Sequence, residues 1–281
     1  KKKARILSNV ISSQVKIHNQ YGGVYPALAA REHAKNIDKV LKLTLKKAGL
    51  KSVAETDLIA VTAGPGLAMA LIVGITFAKT LAWKYKKPLV GTNHLEGHIY
   101  SNWLPLPEQS TNLKALPKET FPTLNLIVSG GHTELVLMKD HGKYKVIGET
   151  LDDAAGEAFD KIARLLEMGY PGGPLISTEA EKYKVRPWSD KGRTLISLPR
   201  PMINSKNFDF SFSGLKTAVL YLVKDLTVRF NLNEIRAAVA HEAQQAIVDV
   251  LVSKTLRAVK KYQPKSVLLS GGVSANKLLR E

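Results

Sequence analysis

The chain of 281 residues contains no cysteine. That excludes a disulfide framework, a thiolate metal site and a cysteine nucleophile, and it suits a reducing compartment, so a cytoplasmic location is expected. Long hydrophobic runs are also missing. The longest apolar stretch, Leu67–Trp83, is interrupted by Lys79 and is too short and glycine-rich for a membrane span, so no membrane partner is expected. The first residues carry no signal-peptide pattern. No short-period repeat occurs. The glycine-rich segments match neither a Walker loop nor a GxGxxG fingerprint, which disfavours P-loop and Rossmann readings. Acidic side chains are few: 24 against 41 lysines and arginines, a net charge of +17. Residues 1–120 carry 18 basic and 7 acidic side chains. Such an excess favours polyanionic partners such as RNA, DNA or anionic lipid, with simple solubility as the alternative.

What is present is an alternation of short β and longer α segments, each strand ending at a glycine-rich turn. That is an α/β architecture with ligand sites at strand ends. In residues 1–121 the pattern predicts an exposed strand over Arg5–Val15 and an amphipathic helix from Pro26 to Gly49. A strand at Leu58–Val61, a helix over Leu67–Tyr85, a strand at Leu89–Val90 and a helix over His94–Trp103 follow. Residues 104–121 read as a loop or linker. In residues 122–281 it predicts a hairpin of Thr123–Val128 and Glu134–Met138 and a helix over Asp153–Met168. A rigid turn at Gly169–Pro174, a surface insertion over 181–207 and helices over Gly214–Phe230 and Asn233–Tyr262 come next, Asn233 as N-cap. The strand Ser266–Ser270 and the start of a helix at Ser274 close the order.

His94 and His98 stand at i and i+4, on one helix face, a spacing that suits two ligands of one divalent ion; the alternative is a helix with two histidines that bind nothing. Glu96 does not directly follow the first histidine, so the metalloprotease pattern is not met. Val128-Ser-Gly-Gly-His-Thr133 and Ser270-Gly-Gly-Val-Ser-Ala-Asn276 repeat one idea. Glycines let backbone N–H groups converge on an anion, and Ser129 and Thr133 add hydroxyl donors. The second copy runs into a helix N-terminus suited to a ribose or phosphate. Asp152 reads as a helix-dipole acid, and Asp160 as a candidate ribose-binding acid. The run Phe208–Lys216 reads as packing, with base stacking as its alternative.

Taken together, these motifs resemble the TsaD family, formerly called glycoprotease or O-sialoglycoprotein endopeptidase. The segments that carry the resemblance are Tyr21-Gly-Gly-Val, Arg31-Glu-His33, the run from Lys79 through His94 to Ile99, Val128–Thr133, Asp152–Lys161, Tyr170–Pro174, Asp209–Thr217 and Ser270–Asn276. They occur in family order over nearly the whole chain, in the style of the bacterial and mitochondrial branch. The resemblance implies a two-lobed actin-like, sugar-kinase-like (ASKHA) α/β fold, with lobes 1–121 and 122–281 and the site between them. It implies transfer of threonylcarbamoyl from threonylcarbamoyl-AMP to N6 of adenosine 37 in tRNAs reading ANN codons. It places metal ligands at His94 and His98, the ion being Fe(2+) with Zn(2+) as the other candidate. Substrate and nucleotide positions fall at Ile127, Val128, Ser129, Gly130, Gly131, Asp160, Gly173 and Asn276. The implied partners are tRNA through its anticodon stem-loop, a TsaB paralogue docking on the first-lobe helices Pro26–Leu45 and Leu67–Tyr85, and the ATPase TsaE. Family members also carry a strand with an acidic, hydroxyl-rich turn before Arg5 and an Asp-Asn-Ala motif after Glu281, whose aspartate completes the metal site. A chain truncated at both ends, lacking its first strand, is therefore expected. An actin-fold kinase or ATPase, a metal-dependent endopeptidase and a non-catalytic partner protein are the rival readings.

Overall fold

The computed structural model describes residues 5–104, 120–183, 189–190, 193–194 and 196–281. The chain divides into two compact units, Lys1–Pro117 and Lys118–Glu281.

In the first unit, α1 (Val15–Asn19) precedes the long helix α2 (Pro26–Ala48). Pro26 opens α2 where a missing N–H is harmless, and Gly49 ends it in the left-handed region at φ 74°. Strand β1 (Ile59–Gly64), helix α3 (Ala68–Tyr85) and strand β2 (Leu89–Asn93) form a βαβ unit, with β1 and β2 parallel from Ile59↔Leu89 to Thr62↔Thr92. Helix α4 (His94–Tyr100) starts at once, because the Asn93 side chain accepts from the N–H groups of Leu95 (2.8 Å) and Glu96 (3.4 Å). The expected strand at Arg5–Val15 does not form: residues 5–14 are irregular and Ile6, Leu7 and Ile11 are exposed. Alternation alone does not make a strand when no neighbour takes up its backbone groups. Of the expected linker, residues 105–119 lie outside the described residues.

The second unit holds a four-stranded sheet. β3 (Thr123–Val128) and β4 (Thr133–Asp140) are antiparallel, as are β4 and β5 (Lys143–Glu149). β8 (Ser266–Ser270) joins β3 in parallel, Leu124 opposite Val267. Every β3 residue is buried; Leu124, Leu126 and Val128 join a core completed by Phe159, Ile162, Phe210, Phe212 and Ile247. The helical layer consists of α5 (Ala155–Leu165), α6 (Gly172–Ala180), α7 (Ser213–Leu226) and the 31-residue α8 (Leu232–Tyr262), and the chain closes on the short α9 (Lys277–Arg280). Two further two-residue strands, β6 (Ser189–Asp190) and β7 (Arg193–Thr194), pair antiparallel.

Several expectations are corrected here. Helix α6 grows out of the segment read as a rigid turn, since Pro174 sits in its first turn, where proline is tolerated. The N-cap of α8 is Asn231, in a capping box with Glu234, two residues before the asparagine expected. Residues 184–188, 191–192 and 195 of the expected surface insertion lie outside the described residues, but its second half is bound to α8. Leu198 is buried, and Arg200 is ion-paired with Glu242 and with Asp249 (2.9 Å). Arg257 donates to the carbonyls of Ile203, Ser205 and Asn207, and the buried Lys254 donates to Ser205 Oγ at 2.7 Å. Burial, then the neighbouring Arg257, pushes the Lys254 ammonium below its ordinary value. The three phenylalanines of 208–212 are interior, so their role is packing.

Candidate functional site

The β3–β4 turn is folded by its own serine. Ser129 Oγ accepts from the N–H groups of Gly131 (3.3 Å) and His132 (3.1 Å). Thr133 Oγ1, fully buried, accepts from Ala155 N at 2.9 Å and fastens the start of α5. As acceptors, the Ser129 hydroxyl shapes the turn and the Thr133 hydroxyl holds the hairpin against α5. Gly156 completes that junction: its N–H reaches Ser129 O at 3.1 Å, and a Cβ there would lie 2.5 Å from the same oxygen. The second glycine turn abuts the first sheet strand. Gly271 has φ 92°, and a Cβ would collide with Val128 O. Ser270 Oγ is buried and makes no hydrogen bond among the described residues.

These close approaches leave a cavity of about 520 Å³ within the second unit, lined by Gly130, Asp160, Tyr170, Gly173, Gly272 and Asn276 among others. Three of its glycines differ from Gly156 and Gly271. At Gly130, Gly173 and Gly272 a Cβ would meet no protein atom within 4 Å, and none has a left-handed φ. Packing does not require glycine at these positions; the space it keeps open is the cavity itself. Asp160 Oδ1 accepts from Gly172 N at 2.7 Å, fixing the start of α6. Burial raises the Asp160 carboxyl above its usual range; the Gly172 bond and the nearby Arg164 oppose this without overcoming it. Tyr170 is likewise raised, by burial and then by the Asp160 charge.

Four of the expected nucleotide positions, Gly130, Asp160, Gly173 and Asn276, thus line one cavity. Ile127 and Val128 do not reach it: both are fully buried in β3, which supplies the frame. Ser129 and Gly131 lie in the turn beside it. Residue-type reasoning passed over Ser177, Thr178, Glu181 and Lys277, which also line it. The adjacent Gly172-Gly173-Pro174 run was the signal that could have found the first three. Asp152 is no dipole acid of α5. It accepts from Phe212 N (2.7 Å), Ser213 N (3.2 Å) and the hydroxyls of Ser211 and Ser213 (both 2.6 Å). It thereby caps α7, whose own N-cap residue makes no side-chain cap bond.

In the first unit the His94 and His98 rings lie 4.5 Å apart, centroid to centroid, at 62°. Two imidazoles one turn apart on α4 suit two positions of a divalent ion. Among the described residues no group of three His, Asp or Glu side chains gathers to hold a metal. No helix among them is long and apolar enough to cross a membrane.

Residues 5–281 match the family model TsaD, tRNA N6-adenosine threonylcarbamoyltransferase. A protein of that name from Thermomicrobium roseum is 50 % identical, over 98 % of this chain and 77 % of its own length. Those from Persephonella marina and Bacillus subtilis are each 46 % identical, over 98 % of this chain and 73 % of their own. With this agreement along its length and the actin-like (ASKHA) α/β fold of that family, the chain belongs to the TsaD family.

Proposed function

We propose that this chain is a tRNA N6-adenosine threonylcarbamoyltransferase. It moves the threonylcarbamoyl group from threonylcarbamoyl-AMP to N6 of adenosine 37 in tRNAs reading ANN codons. The observation that carries this reading is the meeting of Gly130, Asp160, Gly173 and Asn276 on one glycine-walled cavity, in a chain that matches the family from residue 5 to residue 281.

The donor is a mixed carbamic–phosphoric anhydride. The exocyclic amine of the adenosine forms a bond to the carbonyl carbon and releases one proton to solvent, the carbon–oxygen bond to phosphate breaks, and AMP departs. In this reading the cavity takes the AMP portion. The open faces of Gly130 and Gly272 leave room for the backbone to approach phosphate or ribose, and the Asp160 carboxyl, on the cavity lining, would accept from ribose hydroxyls. Holding the nucleotide fixed removes much of the entropic barrier to attack. His94 and His98 of the first unit would hold a divalent ion, Fe(2+) with Zn(2+) as the alternative, which when bound would supply Lewis acidity.

The net charge of +17 suits docking of the tRNA anticodon stem-loop. Adenosine 37 lies in a single-stranded loop, where a base is presented without melting a duplex. A TsaB-type paralogue is proposed to dock on the first unit. Met69, Ile72 and Trp83 of α3 are exposed and fall on one helix face. TsaE is the expected ATPase partner, and the setting is the cytoplasm. The test is incorporation of labelled threonine into unmodified ANN-reading tRNA by the chain with its partners and a donor-generating system. Label in tRNA is the expected result. ATP turnover on a small acceptor, or cleavage of a glycoprotein, with no label in tRNA would overturn it.

A further inference from the structure

Three side chains from three elements meet where two walls of the cavity join. Gln244 of α8 is buried in a stretch of helix whose other interior residues are Ala240, Ala243, Ala246 and Ile247. Its Oε1 accepts from Ser177 Oγ of α6 at 2.7 Å and from Asn276 Nδ2 at 2.9 Å. Asn276 Nδ2 also donates to Ser177 Oγ at 2.9 Å, which closes a triangle. Asn276 Oδ1 accepts from Leu279 N at 3.1 Å and caps α9. The amide nitrogen and the carbonyl oxygen of Asn276 are therefore both engaged by the protein.

This arrangement changes what Asn276 does. Its side chain is a fastener on the cavity wall, and Gln244, which does not line the cavity, is what it is fastened to. The wall needs such a fastener. Residues 272–275 form a single 3₁₀ turn and α9 has four residues, too short to be stable alone. One end of the segment is held by the close approach of Gly271 to β3; the other is held at Asn276. We propose that Gln244 is a positioning residue for the nucleotide cavity, acting through Ser177 and Asn276 to hold the 272–277 wall against α6 at the width the ligand needs. The inference rests on reading the cavity as the donor's nucleotide site.

Removing the Gln244 acceptor leaves an Asn276 N–H and the Ser177 hydroxyl without their buried partner, while the glycine faces that touch the ligand remain unchanged. AMP is the probe, measured by calorimetry alongside steady-state transfer kinetics. Gln244→Leu is expected to weaken AMP binding about tenfold and to raise the donor KM by a similar factor, with kcat within about twofold and tRNA affinity unmoved. Gln244→Glu keeps two acceptor oxygens on the same stem and is expected to restore AMP affinity to within about threefold of the wild type. Ser177→Ala removes one corner of the triangle and carries the test if the leucine variant does not fold, with a loss of about threefold expected. Wild-type AMP affinity in Gln244→Leu, or in Ser177→Ala where that variant stands in for it, overturns the proposal; so does a glutamate variant as weak as the leucine one. A wild-type chain that binds no AMP overturns the nucleotide reading of the cavity and this inference with it.

Discussion

Replacing Asp152 with alanine tests whether one carboxylate joins the hairpin side of the second unit to α7. Four donors converge on it: the N–H groups of Phe212 and Ser213 and the hydroxyls of Ser211 and Ser213. Because Asp152 is itself exposed, each bond is counted near the low end of its range, about 0.5 kcal/mol. Loss of all four, including the cap on α7, is expected to lower stability by about 2 kcal/mol. With a urea slope of about 2 kcal/mol/M, the midpoint falls by about 1 M. Asp152→Asn keeps one acceptor oxygen and is expected to lose about half as much. The pH dependence gives a second reading. Burial acts to raise this carboxyl, but the bonds from Ser211, Ser213 and the Phe212 and Ser213 backbone outweigh it and leave it below its ordinary 3.8. A depressed carboxyl contributes stability above its unfolded value and loses it as pH falls through the folded one. The gap between wild type and Asp152→Ala is therefore constant above about pH 5 and narrows below 3.8. A midpoint shift under about 0.2 M, or a gap that widens in acid, refutes the capping role.

Three further outcomes are expected. His94→Ala and His98→Ala should each lower threonylcarbamoyl transfer about a hundredfold with unchanged circular dichroism; a loss under about threefold removes the metal role. Gly271→Ala forces a side chain into a left-handed residue against Val128 O and should lower stability by about 2 kcal/mol, whereas Gly272→Ala, with nothing within 4 Å, should leave the melting temperature alone and weaken AMP binding. Equal melting temperatures for the two would refute the distinction between packing and ligand glycines. Affinity for tRNA should fall about a hundredfold or more between about 50 and 200 mM salt; a flat response in filter binding would show that the positive charge is not used for docking.

Much of this was legible in advance because it is local. Thr123–Val128 and Ser266–Ser270 form as the apolar runs predict, and the glycines that follow them mark the turns on which the cavity is built. The pair at His94 and His98 lies on a helix because Asn93 caps it, which offsets the cost of Gly97 in its interior. What was not legible depends on distance along the chain. The Asp152 hydroxyl partners lie 59 and 61 residues away, and no pattern within one helix turn announces them. Gln244 reads as one of many polar residues of α8 until Ser177 and Asn276, 67 and 32 residues away, are brought to it. Helix α6 was hidden by Gly172-Gly173-Pro174, residues that usually end order and here begin it. Residues 5–14 show the reverse error, a local alternation with no neighbour to complete it.

Helix α8 has one more consequence, for how the second unit opens. Along its length it is bonded to Leu166 through Arg236, to Leu198 and Arg200 through Glu242, to Ser177 and Asn276 through Gln244, and to residues 203–207 through Lys254 and Arg257. Segments that would fray separately share one spine. Amide hydrogens in the four-residue α9 should therefore exchange with the free energy of α8 rather than with the rapid opening of an isolated turn. Denaturant should release them together in one sub-global step, so that the second unit behaves as a single cooperative foldon whose slowest-exchanging core runs through α8.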